Sequence, residues 1–349
     1  MKQDFIRQNR GFHPVVEEEQ TRLFIDGCVQ IWQDAELENA HRHGADVYAV
    51  TAFLPWVNAE TAMDELMKWH LLPRQYSNLR IVETAQDIVE AKAAGQASLM
   101  LSAQDGEFIG GSLGRVEAFQ RLGLRMLILA YNRDNLLSGG CADSSNTGLS
   151  LMGRRVVEEC NRVGILLDGS HMSSRASLEM IEHSSAPVVF SHSNPKGVVD
   201  NPRNISDEQI RACASKDGVI GVVPWGPMVY KPETQRRPNL ADLLDCVDYI
   251  ADLLGSTENI GLGTDFSLGT YEEMELDPWG TPNYFSDVTA ELDKIIPNDM
   301  LLAERFTEGF DSYPEISNVI SGLHNRGYDD KAIDGILGQN FLRVFKQVW

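Results

Sequence analysis

The sequence lacks most of the features that would place it in a specialised class. Five cysteines, Cys28, Cys141, Cys160, Cys213 and Cys246, are spread over 349 residues without a Cys-x-x-Cys pair, which excludes a disulfide framework and a zinc ribbon and suits reduced cytoplasmic thiols. No run approaches the roughly 18 apolar residues needed to span a bilayer, and the first twenty residues contain no apolar segment of a signal peptide. A membrane partner and secretion are therefore not expected. Positive charge is also short: 30 Lys and Arg face 51 Asp and Glu, a formal net charge of −21 that opposes binding to nucleic acid or to an anionic membrane. There is no Gly-x-Gly-x-x-Gly after an early strand and no phosphate-binding P-loop, so a nucleotide-binding doubly wound sheet loses its main signals. Repeats and low-complexity tracts are missing as well.

What is present is an alternation of apolar runs with amphipathic segments. Strands are expected near 22–25, 47–53, 97–102, 124–130, 164–167, 187–190, 219–223 and 260–263. Helices are expected at 59–70, 84–93, 114–121, 149–162, 174–183, 207–215 and 240–254; the last has Leu240, Leu243, Leu244, Val247, Ile250 and Ala251 on one face. Eight strands alternating with helices are the count of an α/β (β/α)8 TIM barrel, here one domain over residues 1–349. The stretch 267–300, acidic and rich in proline and aromatics, breaks the rhythm and reads either as a lid or as a solvated insertion. Residues 313–349 read as a C-terminal helical segment that includes 331–337 and 340–348.

Barrel chemistry sits where strands end. On this register the first strand exits into Asp26-Gly27-Cys28-Val29-Gln30, and later ones into Gln104, Tyr131-Asn132, His171, His192, Trp225 and Asp265. His171 and His192 follow two strands joined by one helix, so adjacent strand ends bring them to one ligand. Imidazole pairs of this kind suit zinc. Asp265 is either a further ligand or the general base that moves the proton. Cys28 is either a ligand or a small buried hydrophobe. Arg203, in a tight polar loop, is either a carboxylate clamp or half of a structural salt bridge. Gln104, Trp225 and Asn132 are expected to line the substrate pocket.

These same residues carry a family resemblance over most of the chain. Asn161-Arg162-Val163-Gly164-Ile165 leads to Asp168-Gly169-Ser170-His171-Met172-Ser173. Ala186-Pro187-Val188-Val189-Phe190-Ser191-His192-Ser193, Pro202-Arg203-Asn204, Gly261-Leu262-Gly263-Thr264-Asp265-Phe266 and Gly338-Gln339-Asn340-Phe341-Leu342-Arg343-Val344 follow. The sequence resembles the membrane dipeptidase, or renal dipeptidase, family of zinc peptidases (M19). The resemblance implies a (β/α)8 barrel, commonly a homodimer, that hydrolyses dipeptides at a two-zinc site. It also implies zinc ligation by His171 and His192, acid/base work by Asp265 and a carboxylate clamp at Arg203.

Other positions depart from the family pattern. Cys28 and Gln30 stand where the family has His-x-Asp, Gln104 where it has a bridging glutamate, and Tyr131 where it has a histidine. Two amides in place of two carboxylates leave a second Zn²⁺ without neutralising charge in a low-dielectric pocket. The expectation is a hydrolase with one zinc ion, whose Gln30 and Gln104 amides hydrogen-bond substrate or water and whose Tyr131 donates to a developing oxyanion. The alternative is a metal-free binder of a small carboxylated ligand, or a non-hydrolytic subunit.

Overall fold

The structure is a computed structural model that describes residues 22–32, 35–38, 40, 44–269, 295 and 306–349. Its frame is a parallel sheet curled on itself. The strands are β1 (Ile25–Ile31), β2 (Val47–Thr51), β3 (Leu79–Ile81), β4 (Ala97–Ala103), β5 (Leu124–Ile128), β6 (Leu166–Asp168), β7 (Val188–Val189), β8 (Ile220–Val222), β9 (Ile260–Leu262) and β10 (Phe266–Leu268). They are hydrogen-bonded in the order β7-β6-β5-β4-β2-β1-β9-β8. A parallel bridge between Phe190 and Ile220 joins the two ends. There Phe190 N–H donates to Val219 O at 2.9 Å and Gly221 N–H to Phe190 O at 2.7 Å. The result is the expected eight-stranded α/β barrel; β3 is an extra strand beside β4, and β10 an extra strand beside β1.

The helices fall where apolar periodicity and capping residues put them. Ser174–His183 starts at Ser173, whose hydroxyl accepts from Ala176 N–H, and Leu151–Val163 starts at Ser150, whose hydroxyl accepts from Gly153 N–H. Leu240–Leu254 opens with an Asn239/Asp242 capping box and closes at Gly255 in the left-handed conformation. Together with Ala59–Trp69, Ala85–Ala93, Gly114–Arg121 and Asp207–Ser215, they surround the sheet.

Alternate strand residues fill the barrel. Ile25, Val47, Ala49, Met100, Met126, Leu166, Val189 and Val219 form one cluster with Phe341 and Phe345 of the last helix, Asn340–Val348. That helix closes the end of the barrel where the strands begin. The Phe341 ring lies so close that a Cβ at Gly261 would fall 2.4 Å from it. The remaining strand residues pack outward into a larger cluster with the helices.

Two boundaries differ from the sequence reading. The first strand is not 22–25 but Ile25–Ile31, so Asp26, Cys28 and Gln30 belong to the strand rather than to a loop after it. A buried barrel strand lined with small and polar residues at its carboxyl half has the composition of a turn, which hid it. The start of the expected 267–300 insertion is β10, paired with β1 as Phe266 opposite Val29. Apart from Ile295, the rest of that insertion, from residue 270 on, lies outside the described residues. The C-terminal segment contains Ile316–Asn325, Asp330–Asp334, a π-helical turn at Gly335–Gln339, and Asn340–Val348.

Candidate active site

Six strand ends deliver the expected residues to the same mouth of the barrel. His171 follows β6 and His192 follows β7; their Nε2 atoms are 2.9 Å apart. Each imidazole is oriented from its other side. His171 Nδ1–H donates to Asn132 Oδ1 at 2.7 Å, which leaves His171 Nε2 with a bare lone pair. His192 Nδ1 is 2.7 Å from the Ser191 hydroxyl, a group able to donate or accept. Asn132, expected to touch substrate, is thus placed to fix a histidine tautomer. Both rings are buried. Burial first, then the Arg203 cation and, for His171, the neighbouring His192, push both pKa values well below the ordinary 6.5, so both are neutral.

Backbone crowding holds the His192 turn in place. A Cβ on Gly221 or Gly263 would fall 1.9 Å from the Ser191 carbonyl oxygen, so only glycine lets β8 and the turn after β9 approach it. Asn132, His171 and Asp265 all take positive φ, at 57°, 64° and 53°. Such residues gather at functional sites because they turn a side chain sharply off a strand end.

Tyr131 stacks on His171 with ring centroids 4.0 Å apart, and Trp56 lies edge-on to it at 5.5 Å. Sequence reading missed Trp56. It sits at φ 63°, with its N–H donating to Asp105 Oδ2 at 3.2 Å and Arg133 lying 4.2 Å over its ring.

The second half of the site is a hydrogen-bonded cluster. Gln104 Nε2 donates to Cys28 Sγ at 3.2 Å and to Thr51 Oγ1 at 2.8 Å. The Cys28 thiol lies 3.7 Å from Asp265 Oδ1, and Gln30 Nε2 donates to that oxygen at 3.4 Å. Burial, then Asp265 and Asp26, push the Cys28 thiol well above its ordinary value, which keeps it protonated. Arg203 is buried, and its guanidinium donates to His192 O at 3.3 Å. It forms no ion pair among the described residues. Trp225, after β8, is half-buried, packs against the core and is bridged to Phe306.

The histidine pair has nearly the spacing of two zinc ligands. Tetrahedral zinc with Zn–N near 2.0–2.1 Å holds nitrogen ligands roughly 3.3 Å apart, so two neutral Nε2 atoms at 2.9 Å need a separation of only a few tenths of an ångström more. Around Cys28, Gln30, Gln104 and Tyr131 no such set exists. Among the described residues no group of three or more His, Cys, Asp or Glu is arranged to hold an ion, so Cys28 is not brought into a ligand set with the histidines. The histidine pair supplies two nitrogen ligands of such an ion, and among the described residues no third His, Cys, Asp or Glu is grouped with them.

The profile of the membrane dipeptidase family (Peptidase family M19) matches residues 32–294. The chain belongs to that family. A dipeptidase of Schizosaccharomyces pombe, described as uncharacterized, is 30% identical over 240 residues, which is 68% of this chain and 50% of that protein. Dipeptidase verJ of Clonostachys rogersoniana is 27% identical over 88% of this chain and 69% of its own length. The chain therefore spans half to about two thirds of these relatives. Among solved structures, an amidohydrolase from Pseudomonas aeruginosa superposes with a TM-score of 0.82 and 28% identity, covering 95% of this chain and 98% of the other. No described helix is long and apolar enough to cross a membrane.

Proposed function

We propose that this member of the family hydrolyses the amide bond of a dipeptide or a similar small substrate with a free carboxylate, using one metal ion rather than two. The observation that carries the reading is the coexistence of two neutral, convergent imidazoles with a buried arginine that forms no ion pair among the described residues and lies 3.3 Å from the backbone of one of them. A zinc ion held by His171 and His192 would supply Lewis acidity toward the substrate carbonyl and its attacking water.

The chain's own residues supply the rest. Arg203 presents a desolvated cation to the substrate carboxylate and so fixes which end of the substrate faces the histidines. Asp265 carries the proton: its carboxylate stands beside the Cys28 thiol and the Gln30 amide, which both donate to Oδ1. Tyr131, held flat on His171, supplies a phenolic donor near the reacting carbonyl. Gln104 spends its amide hydrogens on Cys28 and Thr51, and so serves as a neutral filler.

A panel of dipeptides and N-acyl amino acids, incubated with zinc-supplemented protein, tests the reading. Turnover is expected for at least one carboxylate-bearing amide, and Asp265→Asn is expected to lower kcat by about 10²–10⁴-fold, the usual worth of a positioned proton carrier. Equal turnover by wild type and Asp265→Asn would remove Asp265 from the mechanism.

A further inference from the structure

Two buried aspartates outside the reacting set are arranged alike. Asp168 Oδ1 accepts Ser170 N–H at 2.9 Å and Ser191 N–H at 3.0 Å. Those are the residues immediately before His171 and His192. A crossed bond, from His192 N–H to Ser170 Oγ at 3.2 Å, ties the same two turns again. On the other side of the barrel, Asp26 Oδ1 accepts Thr264 N–H at 2.7 Å and Cys28 N–H at 3.2 Å. Asp26 Oδ2 accepts the Thr264 hydroxyl at 2.6 Å and the Tyr313 hydroxyl at 2.5 Å. Thr264 precedes Asp265, and Asp265 N–H in turn donates to Cys28 O at 2.8 Å. Each carboxylate therefore uses one oxygen to join its own strand end to the strand end that carries the next working side chain.

We propose that Asp168 and Asp26 are the positioning residues of the site, Asp168 fixing the spacing of His171 and His192 and Asp26 fixing Asp265 against β1. Charge-assisted bonds to backbone N–H groups are the strong class of hydrogen bond, and one oxygen shared by two turns makes their separation a single rigid quantity. Neither aspartate touches substrate, so each acts only through the residue it braces. The brace on Asp265 includes Tyr313, which lies beyond the 32–294 span matched by the family profile, so the C-terminal segment helps to hold the proton carrier.

The proposal rests on the histidine pair being the working centre, yet its test needs no turnover. Amide hydrogen exchange is followed at Ser170 and Ser191 in wild type, Asp168→Ala and Asp168→Asn. Alanine removes the shared acceptor and is expected to speed exchange at both amides by about 100-fold, the worth of a lost charge-assisted bond, while the barrel strands change far less. Asparagine keeps an acceptor oxygen and is expected to restore both amides to within about tenfold of wild type. Zinc affinity of the chelator-stripped protein, read by competition with a chromophoric chelator, is expected to fall about 10–100-fold in Asp168→Ala and little in Asp168→Asn.

Loss of protection in one turn only, asparagine behaving like alanine, or zinc affinity unmoved while both turns open would each overturn the proposal. If Asp168→Ala does not fold, Asp168→Asn decides alone: preserved protection at both amides supports the brace, and lost protection refutes it. Absence of hydrolysis in every protein would defeat the functional reading and leave these readouts intact.

Discussion

Replacing Arg203 by methionine separates the cost of a buried cation from its use. Arg203 is 4% exposed; its guanidinium donates a hydrogen bond to a backbone carbonyl and has no ion pair among the described residues. A buried charge with so little compensation is held at a cost in the unliganded protein. Methionine keeps the apolar stem and the volume while removing the charge, so Arg203→Met is expected to leave unfolding stability unchanged or to raise it by about 1–2 kcal/mol in urea denaturation.

Binding should move the other way. Removing the arginine from a desolvated arginine–carboxylate pair costs roughly 2–5 kcal/mol, which is about 30- to 4000-fold in kcat/KM. The loss is expected for a substrate with a free carboxylate and largely absent for the same substrate as its carboxamide. Destabilisation by more than about 2 kcal/mol would show that Arg203 is part of a structural charge pair. Equal losses on acid and amide substrates would show that it does not hold the carboxylate.

Two further outcomes concern the fold. Burial raises the Asp26 pKa from 3.8 to about 6, so the folded state takes up this proton before the unfolded state does. Its stabilising contribution is complete below pH 3.8 and is lost as pH rises through 6, on the order of 3 kcal/mol in all; Asp26→Asn should remove that part of the pH–stability curve measured by urea midpoints, and an unchanged curve would contradict it. Phe341→Ala should cost about 3–5 kcal/mol, because the ring plugs the barrel against β1 and Gly261; a loss under about 1 kcal/mol in the same assay would mean that the last helix does not close the barrel.

The sequence was most legible where one physical rule dominates. Seven helices and seven of the eight barrel strands followed from apolar periodicity and capping, and Ser173, Ser150 and Asn239 mark helix starts as the rules require. His171, His192, Arg203 and Asp265 were readable because each follows an apolar strand or sits in a tight polar loop. β1 was less legible: Asp26, Gly27, Cys28 and Gln30 fall within its seven residues, so local composition read as a turn while pairing with β2, β9 and β10 made it a strand.

Asp168 and Asp26 went unnoticed for another reason. Their partners Ser191 and Thr264 lie 23 and 238 residues away, a distance no local pattern spans. The local half of the signal was present: both are Asp-Gly pairs whose side chain accepts from the N–H two residues on. Asn132 and Gln104, read as substrate contacts, also hydrogen-bond His171 and Cys28, partners that burial obliges their amides to find and that local sequence does not show.

The most direct test of the account is metal content. Elemental mass spectrometry on protein purified without chelator, beside His171→Ala/His192→Ala, should find about one zinc or similar ion per chain in the wild type and none in the double variant. Two ions per chain would contradict the neutral filling around Cys28, Gln30 and Gln104. No ion, even after reconstitution, would contradict a metal at the histidine pair and leave a binder of small carboxylates in its place.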